Sequence, residues 1–495
     1  MTAGRTIDTV RAVRIVGPGA EFLIDEEPVD LFLHGGRIAD IAPTGVVASR
    51  GDVLDADGAW AVPGLWDHHV HAVPWALAAE REPLESTGSA AEAAARMSSV
   101  APHPDGRRIG IGYRDALWAD APTLELLDAE TGEVPTYLVN SDVHSMWLNS
   151  AALRREGFTS ADGVLREEDA FEVSRRLDAV DEAHADDAVR RAGQAAAARG
   201  ITGVRDFDMA WNAESWSRRV SAGFAAHRVE FAIYPDDLDR AVAAGLRSGG
   251  MLDGTDGLVR VGPLKVISDG TLGTRTAACS HPYPGGDASP AGEHGVLNVE
   301  PAALVGLLTR AVGAGLEVAV HAIGDRAATS ALDAFALSGA TGAIEHAQLI
   351  RHADLARMAR LGVVAGLQPM HAVDDRDIAD RLWAGQRALG YPMESLRRAG
   401  VELRLGSDAP VSPLDPWWAI AAAVARTGDE RPAWHPEEAL SLDEALRASV
   451  RSALRPGEVA DVAVLGDDPR TASAAELRGM PVRATLLAGR LTHST

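Results

Sequence analysis

Across residues 1–62 short apolar stretches alternate with polar positions at a period of two, in VRAVRIVG, EFLI, VDLFLHGGRIADIAP and VLDADGAWAVPG, with Gly and Pro between them. That period belongs to antiparallel strands with one face buried. The pattern returns in residues 453–495, in EVADVAVLG and VRATLLAGRL, after the helical stretch ALSLDEALRASVRSAL. Both ends are therefore expected to supply strands to one small sheet module. Between them, β-like runs alternate with Ala-rich helical runs: GITGVRDF, HRVEFAIY, LVRVGPLKVIS, LEVAVHAIG, GAIEHAQLI, GVVAGLQPM and VELRLGSDA. Strands spaced by helices make parallel βαβ units. With HHVHA as the first, eight such strands give an α/β fold, a (β/α)8 barrel of the TIM type, over residues 63–452. The interval between its first two strands, residues 76–199, is too long for a loop and is expected to hold inserted structure. It includes TYLVNSDVHSMWLNSAAL, a candidate part of a substrate cover.

Length agrees with this division, because 495 residues exceed what one core organises unless a large barrel carries an appended domain. A net charge of -24 argues against a surface that tracks phosphates, so no nucleic-acid partner is expected. The single cysteine, Cys279, excludes internal disulfides and zinc-thiolate clusters and points to a reducing compartment. The stretch MTAGRTIDTVRAVRIVGPG lacks the apolar core of a secretory signal, and no run reaches the roughly 18 apolar residues of a membrane span. A cytoplasmic protein without a membrane partner is the expectation.

Chemistry enters at the carboxyl ends of the barrel strands, the face where such barrels place their active sites. In PGLWDHHVHAVPW, His69 and His71 share one side of strand one because strand side chains alternate. Lys265 interrupts strand four, His321 ends the apolar run of strand five, His346 follows AIE on strand six, and Asp408 follows ELRLGS on strand eight. Taken singly, each has an ordinary explanation. An isolated histidine is commonly a satisfied core residue, Lys265 could snorkel from an edge, and Asp408 in GSDAP could serve a turn. Taken together, in barrel order, imidazoles and a carboxylate form a divalent-metal ligand set.

The segments PGLWDHHVH, SDVHSMWLNSAAL, GITGVRDFD, LKVISDGTLGTRTAA, HAIGDRA, IEHAQLI, LQPMHAVDD, GSDAPVSPLDP and ADVAVLGDDP resemble the amidohydrolase superfamily over essentially the whole chain. Within it the resemblance is to the branch of YtcJ-like and N-substituted formamide deformylase-like proteins, amidohydrolase family 3. The resemblance implies a metal-bearing barrel with a small β-sandwich built from residues 1–62 and 453–495. It implies metal ligands at His69, His71, His321, His346 and Asp408. It also implies that Lys265, carboxylated by carbon dioxide, bridges two metals. Two departures are visible: Asp67-His68 precedes the HxH in place of Asp and a small residue, and RSALRPGEVADVAVL is shortened before ADVAVLGDDP.

A divalent ion, zinc by its preference for these donors and one or two in number, makes hydroxide available near neutral pH and polarises a carbonyl. Asp408 is the expected proton acceptor, returning the proton to a leaving nitrogen. The expected reaction is hydrolysis of an amide, N-formyl or N-acyl bond of a small molecule. His144, Trp147, Asp269, Arg275, Gln368 and His371 are candidates for the substrate pocket, with Trp75 as a further apolar surface. Asp325 in HAIGDRA reads as a helix N-cap. The Gly/Pro-rich stretch GTLGTRTAACSHPYPGGDASPAGEHG after strand four reads as a lid. A deaminase or an ester or phosphoester hydrolase on the same scaffold is the alternative, disfavoured for the deaminase because HAIGD offers no glutamate to protonate a ring nitrogen. A non-catalytic metal-binding protein is a third reading, and a homodimer is left open.

Overall fold

The computed structural model describes residues 4–22, 27–103, 105–115, 118–141, 145–166, 168–284 and 292–495. They form two compact units, one of Met1–Ala72 with Gly193–Thr495 and one of Val73–Ala192.

In the first unit eight parallel strands pair in chain order: Leu65–Val70, Ile201–Asp206, Arg228–Ile233, Val259–Ile267, Val318–Ala322, Gly342–His346, Val364–Leu367 and Leu403–Leu405, here barrel strands one to eight. Seven of the eight lie within the runs that the hydrophobic pattern marked and strand one overlaps HHVHA at His68–Val70, so the expected barrel is borne out. Their runs are nearly continuous in apolar residues because both faces of a parallel sheet are covered. Val364–Leu367, for example, is buried at every position.

Strand eight closes the barrel on strand one through a short polar seam rather than a long ladder. The Asp408 N–H donates to the His69 carbonyl at 2.8 Å, and the His71 N–H donates to the Ala409 carbonyl at 2.9 Å. Asp67 braces the seam from strand one, its Oδ1 accepting the N–H groups of His69 and Ser407, each at 3.0 Å. Burial pushes that carboxyl up to about 6. Gly406 is required by the closeness of the two strands, since a Cβ there would stand 2.6 Å from the His69 nitrogen.

The termini share one mixed eight-stranded sheet. Thr9–Ile15 pairs with Val29–His34 and Val53–Asp55 through its first half and with Trp60–Pro63 through its second. The change falls at Ala12, which has φ 55° and donates its N–H to Asp30 Oδ1 at 2.8 Å. A strand that switches partners at a bend is how two sheet layers are joined at a corner. Trp60–Pro63 then pairs with Val462–Leu465, which continues through Val482–Leu487 to Arg490–Ser494. Val10, Leu31, Val462 and Leu486 form the core of this module. Only Gly64 separates Trp60–Pro63 from barrel strand one, and its N–H donates to the Asp461 carbonyl at 2.8 Å. The Asp461 carboxylate in turn holds Arg228 at 3.0 and 3.1 Å, tying the sandwich to barrel strand three.

The second unit has its own sheet. Glu82–Pro83, Arg108–Tyr113 and Thr136–Asn140 run parallel, and Ser145–Leu148 and Val164–Arg166 extend the sheet antiparallel. Its helices Ala90–Ser99, Leu124–Thr131 and Ser150–Glu156 are capped by Ser89, Thr123 and Asn149. Those side chains satisfy N–H groups that a helix start leaves without partners.

Asp325 departs from the sequence expectation. The cap of helix Asp325–Ser338 is Gly324, packed so close to the Ala278 backbone that a Cβ would meet its carbonyl oxygen at 2.1 Å. Asp325 is instead the first helical residue, and its buried carboxylate accepts from the Ser280 N–H and from Arg351 Nε at 2.7 and 2.8 Å. Among the described residues no helix is long and apolar enough to cross a membrane.

The seam gives a stability test. Gly406→Ala must push strand eight away from the His69 backbone, and overpacking of this kind costs about 1–3 kcal/mol. Urea unfolding should show that loss as a lower midpoint at unchanged slope. A midpoint equal to wild type would show that the seam has room for a methyl group.

Candidate metal centre

The expected ligand residues gather at the carboxyl end of the barrel around Asp408. Its Oδ1 lies 3.4 Å from His69 Nε2 and 3.4 Å from His71 Nε2. The donor atoms of these three residues lie within 4.8 Å of one another. Its Oδ2 faces a second pair, His346 and His371, at 4.0 and 3.8 Å, and those three residues form another group of the same compactness. Lys265 stands beside the first group, Nζ 3.2 Å from His69 Nε2 and 4.1 Å from the Phe207 ring centre. His321 packs edge-on against His346, ring centres 4.4 Å apart.

The tautomers follow from what the other ring nitrogens touch. His69 Nδ1 is 2.8 Å from Glu345 Oε2, and a carboxylate only accepts, so Nδ1 carries the hydrogen and Nε2 turns its lone pair into the site. His346 Nδ1 is 2.9 Å from the Gln368 side-chain oxygen and is also the ring nitrogen that faces Asp408 Oδ2, at 4.0 Å. His321 Nε2 lies 3.3 Å from the Gly270 carbonyl, which leaves Nδ1 as its bare nitrogen.

For His371 the reasoning runs through three residues. Tyr391 has one hydroxyl hydrogen and gives it to Asp375 at 2.7 Å. The Tyr391 oxygen, 3.3 Å from the Gln348 side-chain amide, is then left to accept an N–H. That turns the Gln348 carbonyl toward His371 Nδ1, 3.3 Å away across the side-chain amide. His371 Nδ1 then donates, and Nε2, buried without a hydrogen-bond partner among the described residues, points a lone pair at Asp408.

Electrostatics complete a donor set fit for a divalent cation. Burial, and after it the Lys265 ammonium, holds His69 well below its ordinary pKa and brings His321 down to about 4. Burial and then His321 do the same to His346. Burial alone would raise Asp408, but His69, His71 and His346 outweigh it and hold the carboxylate well below its usual range. Burial lowers Lys265 to about 8. Neutral imidazoles beside one ionised carboxylate are the protonation states that metal binding demands.

The residues expected to line a substrate pocket fare differently. His371 and Gln368 lie in the centre itself, Gln368 as the partner that orients His346. Asp269 is fully buried, and its carboxylate accepts the N–H groups of Ala278, Ile323 and Gly324 at 2.8 to 3.0 Å. It ties the segment after strand four to strand five and offers no surface to a substrate, while burial pushes it up to about 7. Trp147 is likewise a core residue, fully buried among Leu84, Met97, Leu127 and Leu138 of the second unit, with Nε1 donating to the Thr123 carbonyl at 3.1 Å. Arg275 sits half-buried in the segment after strand four and makes no ion pair among the described residues. His144 lies outside the described residues, as do residues 285–291 of the expected lid. The described part of that stretch places Leu272, Ala277, Cys279 and Tyr283 in a hydrophobic cluster with Trp383 and Trp434.

Residues 52–493 match the model of the amidohydrolase family. The chain belongs to that family. It is a hydrolase of the class that acts on carbon–nitrogen bonds, as the resemblance implied. YtcJ of Bacillus subtilis is 26% identical over 488 residues, 89% of this chain and 90% of that protein. The N-substituted formamide deformylase of Arthrobacter pascens is 25% identical over 526 residues, 94% of each. A solved structure of an uncharacterized metal-dependent hydrolase from Pyrococcus horikoshii superposes with a TM-score of 0.79 at 24% identity, covering 94% of this chain and 99% of that one, and shares the fold.

Glu345 was not among the residues expected from the sequence, although a carboxylate in an apolar buried strand demands a partner. Groups that orient a metal-binding histidine typically alter metal affinity by about 10–100-fold when replaced. Glu345→Gln should weaken metal binding by that range with the far-ultraviolet dichroism unchanged, measured by competition with a chromophoric chelator. Equal affinity in the two proteins would show that His69 is oriented without Glu345.

Proposed function

We propose that the protein hydrolyses an amide, N-formyl or N-acyl bond of a small molecule with a divalent ion, zinc by donor preference, held by His69, His71, His321, His346 and Asp408. The observation that carries this reading is the meeting of His69, His71 and Asp408 donor atoms within 4.8 Å at the end of the barrel where such folds catalyse. The second group on Asp408 Oδ2 supports a place for a second ion and gives His371 a ligand's position as well. A bound divalent ion supplies an acidified water and polarises a carbonyl oxygen.

The chain's own residues do the rest. Asp408, ionised at neutral pH, accepts the proton of the attacking water at a carboxylate oxygen and returns it to the departing nitrogen. Glu345 keeps His69 in one tautomer, and Gln368 orients His346. Lys265, neutral above about pH 8 because it is buried, has the free amine that carbon dioxide needs to form a carbamate, and the carbamate would add a second anionic bridge. Arg275, half-buried on the segment after strand four, is assigned here to orient an acyl or anionic part of the substrate. The likeness to an enzyme named for N-substituted formamides favours a small N-substituted amide. A free buried Cys279 suits work in a reducing compartment such as the cytoplasm.

Two measurements test this. With N-benzyl, N-butyl and N-methyl formamides as substrates, zinc-loaded wild type should turn over the series, and Asp408→Asn should lose about 10²-fold to 10⁴-fold in kcat with its fold intact. Retention of more than half of wild-type turnover would remove Asp408 from the base role, and activity confined to phosphoesters would overturn the amide reading. After exchange with ¹³C-bicarbonate, a carbamate carbon resonance should be present in wild type and missing in Lys265→Ala. Its absence from metal-loaded wild type would leave Lys265 an unmodified amine.

A further inference from the structure

At the amino end of the barrel, away from Asp408, lies a cavity of about 770 Å³. Six arginines and four glutamates line it, in a chain that carries 47 basic and 71 acidic residues overall. The cationic excess is sharpest at its inner wall. Arg205 and Arg451 share one carboxylate, Glu230, with Arg205 Nε 2.6 Å from Oε1 and Arg451 bonded to Oε2. Arg451 stacks on Trp66, its guanidinium carbon 3.8 Å from the ring centre. Its Nε and Nη2 are buried and have no hydrogen-bond partner among the described residues. At the rim Arg260 and Arg447 are exposed and make no ion pair among the described residues.

His68 lines the same cavity. Guanidinium donors buried without an acceptor are costly, and an oxyanion bound by two N–H groups at once removes that cost. The volume falls in the range of small-molecule sites and exceeds what one inorganic oxyanion fills.

We infer that this cavity binds a small molecule bearing a dianionic oxyanion group, a phosphate ester or a dicarboxylate, with Arg451 and Arg404 on the charged group and Arg260 and Arg447 at the mouth. Nothing in this depends on the hydrolytic reading, because the cavity shares no residue with the metal centre.

The test is isothermal titration of the full chain with inorganic phosphate and, separately, with malonate, at fixed ionic strength. Saturable binding is expected for at least one, and the relative affinity of the two tells phosphate from carboxylate. Arg451→Gln should weaken it at least tenfold. The double variant Arg260→Gln/Arg447→Gln, which alters only exposed side chains, should weaken it severalfold and cannot fail for want of folding. Binding should persist in Asp408→Asn. Absence of saturable binding up to 20 mM of both probes (about the weakest useful affinity), or equal binding by the double variant and wild type, would overturn the proposal. Binding lost in Asp408→Asn but kept in the arginine variants would place the anion at the metal end and overturn it too.

Discussion

The closure of strand eight on strand one is the constraint on which the rest of this molecule depends. The backbone bonds that seal the barrel join the very residues to which the proposed chemistry is assigned: His69 accepts from Asp408, and His71 donates to Ala409. A barrel that failed to close there would separate the HxH pair from its carboxylate. The seam is short, so side chains and a glycine do what a ladder does elsewhere. Asp67 gathers the N–H groups of both strands, and Gly406 lets the backbones approach. Structural stability and ligand geometry are therefore one problem in this fold, which explains why a buried carboxyl costly enough to be pushed up to about 6 is tolerated in the wall.

Burial around the centre has a second effect. Loss of solvent holds His69, His321 and His346 below their ordinary pKa, and His69 and His321 each have one ring nitrogen committed to a fixed acceptor. The other nitrogen is then available without reorganisation when an ion arrives. Preorganised ligands lose less entropy on binding, and a fixed tautomer is what outer partners provide. Asp408 is the one group here whose surroundings favour charge despite burial, which makes it both the anchor for two imidazole pairs and the natural resting place for a proton.

What could be read in advance divides along physical lines. The eight barrel strands and the sheet of the termini were legible because they rest on periodicity, a local property. That His69, His71, Lys265, His321, His346 and Asp408 gather at one end of the barrel was legible because metal-competent side chains at strand ends are conspicuous in an apolar run. Glu345, Asp67 and the Tyr391–Gln348 pair were not, since their meaning lies in contacts with residues far along the chain. Trp147 and Asp269 misled for the converse reason: an indole and a carboxylate look available in sequence, and only packing shows one inside a core and the other spent on three backbone N–H groups. Asp325 illustrates a finer limit, a shift of one residue in where a helix starts, decided by the crowding of Gly324 against Ala278.

The polar interior between the two barrel ends calls for an explanation beyond stability. From His69 the contacts run to Glu345, then at 4.0 Å to Arg205, on to Glu230 and finally to Arg451 at the amino end. Buried ion pairs of this kind often stabilise a fold no better than apolar residues of the same size would. What an apolar filling could not do is fix the rotation of an imidazole. A charged Glu345 is the stronger acceptor for His69; burial pushes its pKa up, with Lys265 and then Arg205 pulling the other way. Lys265 and Arg205 thus favour the charged form, and Glu230 keeps Arg205 in place. The row of charges is best understood as the support of one ligand, extended inward until it reaches the water-accessible arginines at the opposite mouth.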